Sequence, residues 1–197
     1  FVDSAPLKVY NVEKYDIRGH TMTCGKNVNI RKARPEDAEN ILSLLKIMGG
    51  ETDNLTFGAA GIPLSEQQEA EYLEGLADSK TDLYLVAEAD GELCGTASYS
   101  QMKRRRMSHR GEISIALRKS VWGCHVGTHL MERLLDFAEN ECRAEIISLE
   151  VRSDNARAIA LYKKFGFETV GTFPGFMKID GKLADCDIMC LRTGISD

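Results

Sequence analysis

The chain has 197 residues, 43% hydrophobic and 28% charged, an ordinary globular composition with length enough for one sizeable core. A formal net charge of −5 argues against nucleic acid as a partner, since surfaces that bind it carry a basic excess. No run approaches the roughly 18 apolar residues of a membrane helix, and FVDSAPLKVYNVEKYDIRGH lacks the pattern of a signal peptide, so a soluble, cytoplasmic protein with no membrane partner is expected.

Residues 1–24 are weakly patterned and read as an N-terminal extension, with a short strand at Leu7 to Tyr10. NVNIRKAR alternates Val28 and Ile30 with polar residues, which predicts a strand, and Pro35-Glu36-Asp37 then suits the first turn of a helix. Ala38, Ile41, Leu42, Leu45 and Met48 form its apolar stripe, and Gly49-Gly50 is the expected stop. ETDNLTFGAAGIPL, residues 51–64, has the composition of a loop with a binding role, and Ser65 with Gln68 forms a capping box for an acidic helix.

DLYLVAEADGELCGTASYS reads as a β-hairpin turning at Asp90-Gly91, with the basic run Lys103 to Arg106 as a solvated tip beyond it. In HRGEISIALR, Ile113, Ile115 and Leu117 share one strand face, and Glu112, Ser114 and Ala116 share the other. A helix to about Arg143 follows VWGCHVG, striped by Val126, Leu130, Leu134 and Ala138. EIISLEVR is a strand with Glu150 opposite its apolar face. SDNARAIALYKKFGF is a helix capped by Ser153 or Asp154, striped by Ala158, Leu161, Tyr162 and Phe165, and stopped at Gly166. FETVGTF and ADCDIMCLR close the chain as strands, and residues 25–197 read as one domain, a central sheet with helices on both faces. Cys24, Cys94, Cys124, Cys142, Cys186 and Cys190 form no CxxC pair, so buried free thiols are expected rather than disulfides, and no metal site.

Gly123 and Gly127 stand at the mouth of a helix. Glycines there either serve turn and packing alone or let backbone N–H groups approach an anion at the positive helix end. A Rossmann GxGxxG or a Walker loop would differ in glycine number and position, so neither nucleotide motif applies.

VWGCHVGTHLMERLLDFA, SLEVRSDNARAIALYKKFGF and DGKLADCDIMCL together resemble the GNAT superfamily of acetyl-CoA-dependent N-acetyltransferases over about residues 27–192, the second segment being similar to ribosomal-protein alanine acetyltransferase-like members. Trp122 stands where the family loop has Gln or Arg, His125 replaces the first motif glycine, and Gly127 matches the second. The resemblance implies an α/β fold whose mixed, mostly antiparallel sheet has about six to seven strands flanked by about four helices. It implies acetyl-CoA as co-substrate, with Ile115, Ala116 and Leu117 along the pantetheine arm. Trp122, Gly123, Cys124, His125, Val126, Gly127 and Thr128 would lie around the pyrophosphate, and Asn155 would also touch the cofactor, although Asn155 follows the cap and has a local reading in which it only satisfies helix N–H groups.

An amine must lose a proton to attack, and a carboxylate can accept it. Glu112, beside the small Ser114 and Ala116, is the first candidate base on physical grounds, and Glu150 in SLEVR, where the resemblance to alanine acetyltransferase-like members implies a glutamate, competes with it. Tyr162 matches the family tyrosine that protonates the departing thiolate, though it also belongs to an apolar stripe; a backbone N–H of the Glu112 strand would stabilise the oxyanion. Cys124 beside the loop is a candidate oxidative gate, with an inert thiol as the plainer reading. The expected reaction is acetyl transfer to a primary amine, the alternative a non-catalytic acyl-CoA-binding module of the same fold. The acceptor is a small-molecule amine or a protein N-terminus; Glu51, Asp53, Glu66, Glu69 and Glu71 would suit a polyamine, or form an acidic solvated face. The resemblance also allows a homodimer, for which no segment specifies an interface.

Overall fold

The computed structural model describes residues 20–21 and 27–195, so the expected strand at Leu7 to Tyr10 and Cys24 lie outside the described residues. Eight strands form one sheet: β1 (His20–Thr21), β2 (Asn27–Lys32), β3 (Asp82–Ala89), β4 (Glu92–Gln101), β5 (Arg110–Leu117), β6 (Ile146–Arg152), β7 (Glu168–Ile179) and β8 (Lys182–Arg192). Four helices accompany them: α1 (Ala38–Glu51), α2 (Glu66–Leu76), α3 (Val126–Asp136) and α4 (Ala156–Lys164). The spatial order is β1-β2-β3-β4-β5-β6-β8-β7, antiparallel throughout except for the parallel β5–β6 pair.

Alternation along the strands divides the core in two. Ile113 and the partly buried Ile115 and Leu117 join the larger cluster with Val126, Leu130, Leu134 and Ala138 of the α3 segment and Tyr162 and Phe165 of the α4 segment. Val86 and Ala116, on the opposite face, pack with Ile41, Leu45 and Met48 of α1 and Leu73 of α2. Arg31 on β2 ties the first layer down, its guanidinium meeting Asp37 at 2.6 and 2.8 Å and Glu88 of β3 at 2.6 Å.

Most expected elements are present, including the Ser65–Gln68 capping box and the Asp90-Gly91 turn, and four boundaries differ. Helix α1 runs through Gly49 and Gly50 to Glu51, because Gly49 serves a close approach rather than a stop: a β-carbon there would overlap the carbonyl oxygen of Gly58. The expected helix to Arg143 is α3 followed by a π-helical turn, Phe137–Glu141. The cap of α4 is Asn155, not Ser153 or Asp154; its Oδ1 accepts from the Ala158 N–H at 3.2 Å. The last two strands extend toward each other across residues 172–184 and meet at Asp180-Gly181, the same left-handed Asp-Gly turn as at 90–91. Four of the five described cysteines, Cys94, Cys124, Cys142 and Cys186, are buried, and Cys190 is half-buried.

Candidate active site

The parallel pair is short. β5 and β6 are in register only from Arg110 opposite Ile146 to Glu112 opposite Ser148, and beyond that point no pairing joins them. The edge of β5 from Ile113 to Leu117 is therefore open to a ligand's amides. A cavity of about 600 Å³ occupies this fork and is lined along β5 by Ile113 to Leu117 and on β6 by Glu150 and Val151.

One end of the cavity is the loop before α3. Gly123 has φ +81° and His125 φ +63°, both left-handed, which turns the chain sharply into the helix. Among the described residues, no hydrogen bond engages the N–H groups of Gly123, His125, Val126, Gly127 or Thr128. Five open amides at a helix N-terminus are the chemistry that suits an anion. At Gly127 a β-carbon would press to 3.2 Å on Leu161 and 3.4 Å on Leu117, so the small residue keeps α3 close to the cavity wall. The loop is braced from below by the Trp122 indole N–H, which donates to the Leu117 carbonyl at 3.0 Å.

The residues expected around a cofactor are largely brought together. Ile115, Ala116, Leu117, Trp122, Gly123, His125, Val126, Gly127, Thr128 and Asn155 all line the cavity. Cys124 does not: it is buried at 5% exposure and its N–H donates to the Val121 carbonyl, so burial removes the ground for an oxidative gate. Asn155 is both cap and wall, its Oδ1 spent on Ala158 while the side chain borders the cavity.

Tyr162 lines the cavity at 7% exposure and packs its ring against Phe167 at 6.0 Å. Burial pushes its hydroxyl pKa up to about 12, so it stays protonated at neutral pH. Glu150 faces the cavity from β6, and its pKa is raised first by desolvation and then by the neighbouring charge of Glu112. Glu112 lies at the branch of the fork, is exposed and does not line the cavity.

Another stretch of the cavity wall is legible in the sequence only as a Gly/Asn/Thr-rich loop. Thr52 and Asn54 to Phe57 enter from that loop, with Leu45, Ile62, Tyr84 and Thr96 behind them. Of the five acidic residues considered for cation binding, none lines this cavity. Glu51 instead binds Arg118 at 3.2 Å and the Lys119 N–H at 2.7 Å, Glu69 is buried, and Asp53, Glu66 and Glu71 are exposed. Glu150 is the one carboxylate among the lining residues.

The Acetyltransferase (GNAT) family pattern matches residues 53–167, which includes the fork, the glycine loop and Tyr162. The chain belongs to this family. As a GNAT acetyltransferase it is 34% identical over 116 residues to the L-amino acid N-acetyltransferase AaaT of Escherichia coli K12, covering 59% of this chain and 72% of that one. It is also 34% identical over 98 residues to the N-alpha-acetyltransferase RimI of Mycobacterium tuberculosis, covering 50% of this chain and 60% of that one. In three dimensions it matches a GNAT-family acetyltransferase of Streptococcus pneumoniae with a TM-score of 0.81 at 27% identity, over 85% of this chain and all of that one. The fold also matches yncA of Salmonella typhimurium, solved with acetyl-CoA, with a TM-score of 0.74 at 21% identity, over 86% and 95% of the two chains. The family is one of acetyl-CoA-dependent acyltransferases, and the chain is an acyltransferase of it.

Proposed function

We propose that the protein transfers the acetyl group of acetyl-CoA to the α-amine of an apolar amino acid or of a protein N-terminus with an apolar first residue. The observation that carries this reading is the single cavity that runs from the open-amide loop, through the β5–β6 fork, to an apolar chamber with Glu150 at its side. The donor supplies an activated acyl group as a thioester. The open edge of β5 accommodates its pantetheine amides, and the amides of Gly123 and residues 125–128 hold its pyrophosphate.

Glu150 serves as the base, directly or through water. Desolvation and Glu112 raise its proton affinity, which suits acceptance of a proton from an ammonium group. Glu112 acts on Glu150 through its charge. A β5 backbone N–H on the open edge faces the oxyanion, and Tyr162 donates its hydroxyl proton toward the departing sulfur. A hydroxyl with a pKa of about 12 is a weak acid against a thiol of about 8.5, so Tyr162 works as a hydrogen-bond donor until that sulfur, in the same apolar cavity, gains proton affinity by desolvation.

Leu45, Leu55, Phe57, Ile62 and Tyr84 give the acceptor chamber its apolar character, and a single carboxylate does not match a polyamine's several charges. The names of AaaT and RimI point to amino acids and protein N-termini for those proteins, which supports the same class here. The test is acetyl-CoA-dependent thiol release with amino acids, short peptides and polyamines. Turnover is expected on apolar amino acids or peptides and is expected to fall about a hundredfold in Tyr162→Phe. Equal or better turnover on spermidine would overturn the acceptor assignment.

A further inference from the structure

Two cations flank the ring of Trp122, which lines the cavity. The Arg157 guanidinium lies 5.0 Å from the centroid of the Trp122 ring and Lys119 Nζ lies 5.8 Å from it. Both side chains belong to exposed residues, and both line a polar recess that opens beside the main cavity. Three carboxylates border the same recess: Glu51 is engaged with Arg118 and the Lys119 N–H, Asp154 with Arg152 at 2.7 Å, and the exposed Asp53 forms no salt bridge with either cation. Among the described residues neither Lys119 nor Arg157 has a carboxylate partner.

The placement favours a negative group between the two cations. Arg157 is the second residue of α4, where the helix dipole is positive and a cation is disfavoured by several tenths of a kcal/mol. It shares one indole with a second cation, and the open amides before α3 add a third positive feature at the same rim. Trp122 supplies a rigid face and is itself fixed by its N–H bond to Leu117, so the two cations are held in place before any ligand arrives.

We infer that Trp122 is a platform that holds Arg157 and Lys119 as the seat for the 3′-phosphate of coenzyme A. This rests on the acetyl-CoA reading above. Coenzyme A carries three phosphate groups: the five open amides provide for the two of the pyrophosphate, and the third hangs on the ribose toward solvent. A monoester phosphate there carries close to two charges, and two point-directed cations match it. In this chain the cofactor's charge recognition thus comes partly from α4 and from Lys119, with an aromatic residue at position 122 acting as support.

Trp122 is the single tryptophan of the chain and reports on this seat directly. The experiment titrates the full chain with coenzyme A and with 3′-dephospho-coenzyme A, following tryptophan fluorescence and, in parallel, heat of binding. Wild type is expected to prefer coenzyme A by at least tenfold, a preference that weakens as salt rises. In Arg157→Gln combined with Lys119→Gln the preference collapses to about twofold while affinity for the dephospho form changes little, and Arg157→Lys restores part of it. Circular dichroism of each variant confirms that the fold is kept. Equal wild-type affinity for the two ligands overturns the inference and leaves the acetyl-CoA reading standing. So does a double variant that loses both ligands alike, since the cations would then serve the pyrophosphate. Failure of wild type to bind either ligand overturns both.

Discussion

His125 is the one residue with a side chain in a left-handed conformation within the cofactor loop, at φ +63° and without a capping hydrogen bond from its own side chain. An L-residue there carries about 1–2 kcal/mol of strain. His125→Gly removes that strain but frees the unfolded chain by about 0.4–1 kcal/mol, so a net gain of roughly 0.5–1 kcal/mol is expected. His125→Val removes the same imidazole and places a β-branched carbon where such residues fit worst, with an expected loss of about 1–2 kcal/mol. A chain of this size shifts about 2–4 °C per kcal/mol, so melting temperatures of the two variants should differ by roughly 5–10 °C. Thermal unfolding followed by circular dichroism measures the gap. Calorimetry with coenzyme A should show the glycine variant within a few-fold of wild type and the valine variant weaker, because the open amides of residues 125–128 depend on this turn. Equal melting temperatures for the two variants would refute the claim that position 125 holds a strained backbone.

Three further substitutions test the layers of the site. Gly49→Ala drives a β-carbon into the Gly58 carbonyl and must displace the loop that forms the acceptor chamber, so KM for the amine should rise about tenfold with coenzyme A affinity unchanged. Glu112→Gln removes the charge that helps raise the Glu150 pKa, so the acidic limb of the kcat/KM profile should move to lower pH; an unmoved limb would argue against Glu150 as the base. The Arg31 guanidinium holds the Asp37 carboxyl below its usual pKa against the opposing effect of burial, so this pair stabilises the fold above about pH 4 and stops doing so as pH falls through the lowered value. Asp37→Asn should therefore cost about 2 kcal/mol at pH 7 and progressively less in acid, which denaturant titrations at pH 7 and pH 3 would measure.

Periodicity made most of the sheet and all four helices legible, because each element buries one face and the sequence writes that face at its own spacing. The failures fall where glycine or a polar residue has two possible jobs. Gly49-Gly50 looks like a helix stop, yet Gly49 faces the Gly58 carbonyl, a tertiary contact between residues nine apart that no local pattern encodes. Ser153 and Asp154 are as good caps as Asn155 by residue type, and only the backbone path from β6 selects among them. Asp180-Gly181 carried the same turn signal as Asp90-Gly91 and was hidden by the irregular register near Phe173, where β7 has three residues against one of β8 between paired positions.

The half of the cavity proposed for the cofactor is legible because it comes from two short stretches, residues 115–128 and 155–162, and the family pattern lies on both. The acceptor half is not, since Leu45, Phe57, Tyr84 and Thr96 come from four separate elements or loops and read individually as core. Glu51 joins the two halves by direct contacts. It stands at the last position of α1, directly before the acceptor loop, and its carboxylate grips Arg118 and the Lys119 N–H directly after β5, where the cofactor loop begins. Its position in a run of acids suggested a surface for cations. Its geometry makes it a strut, with one oxygen on a guanidinium and the other on a backbone amide, which ties the end of α1 to the segment that follows β5.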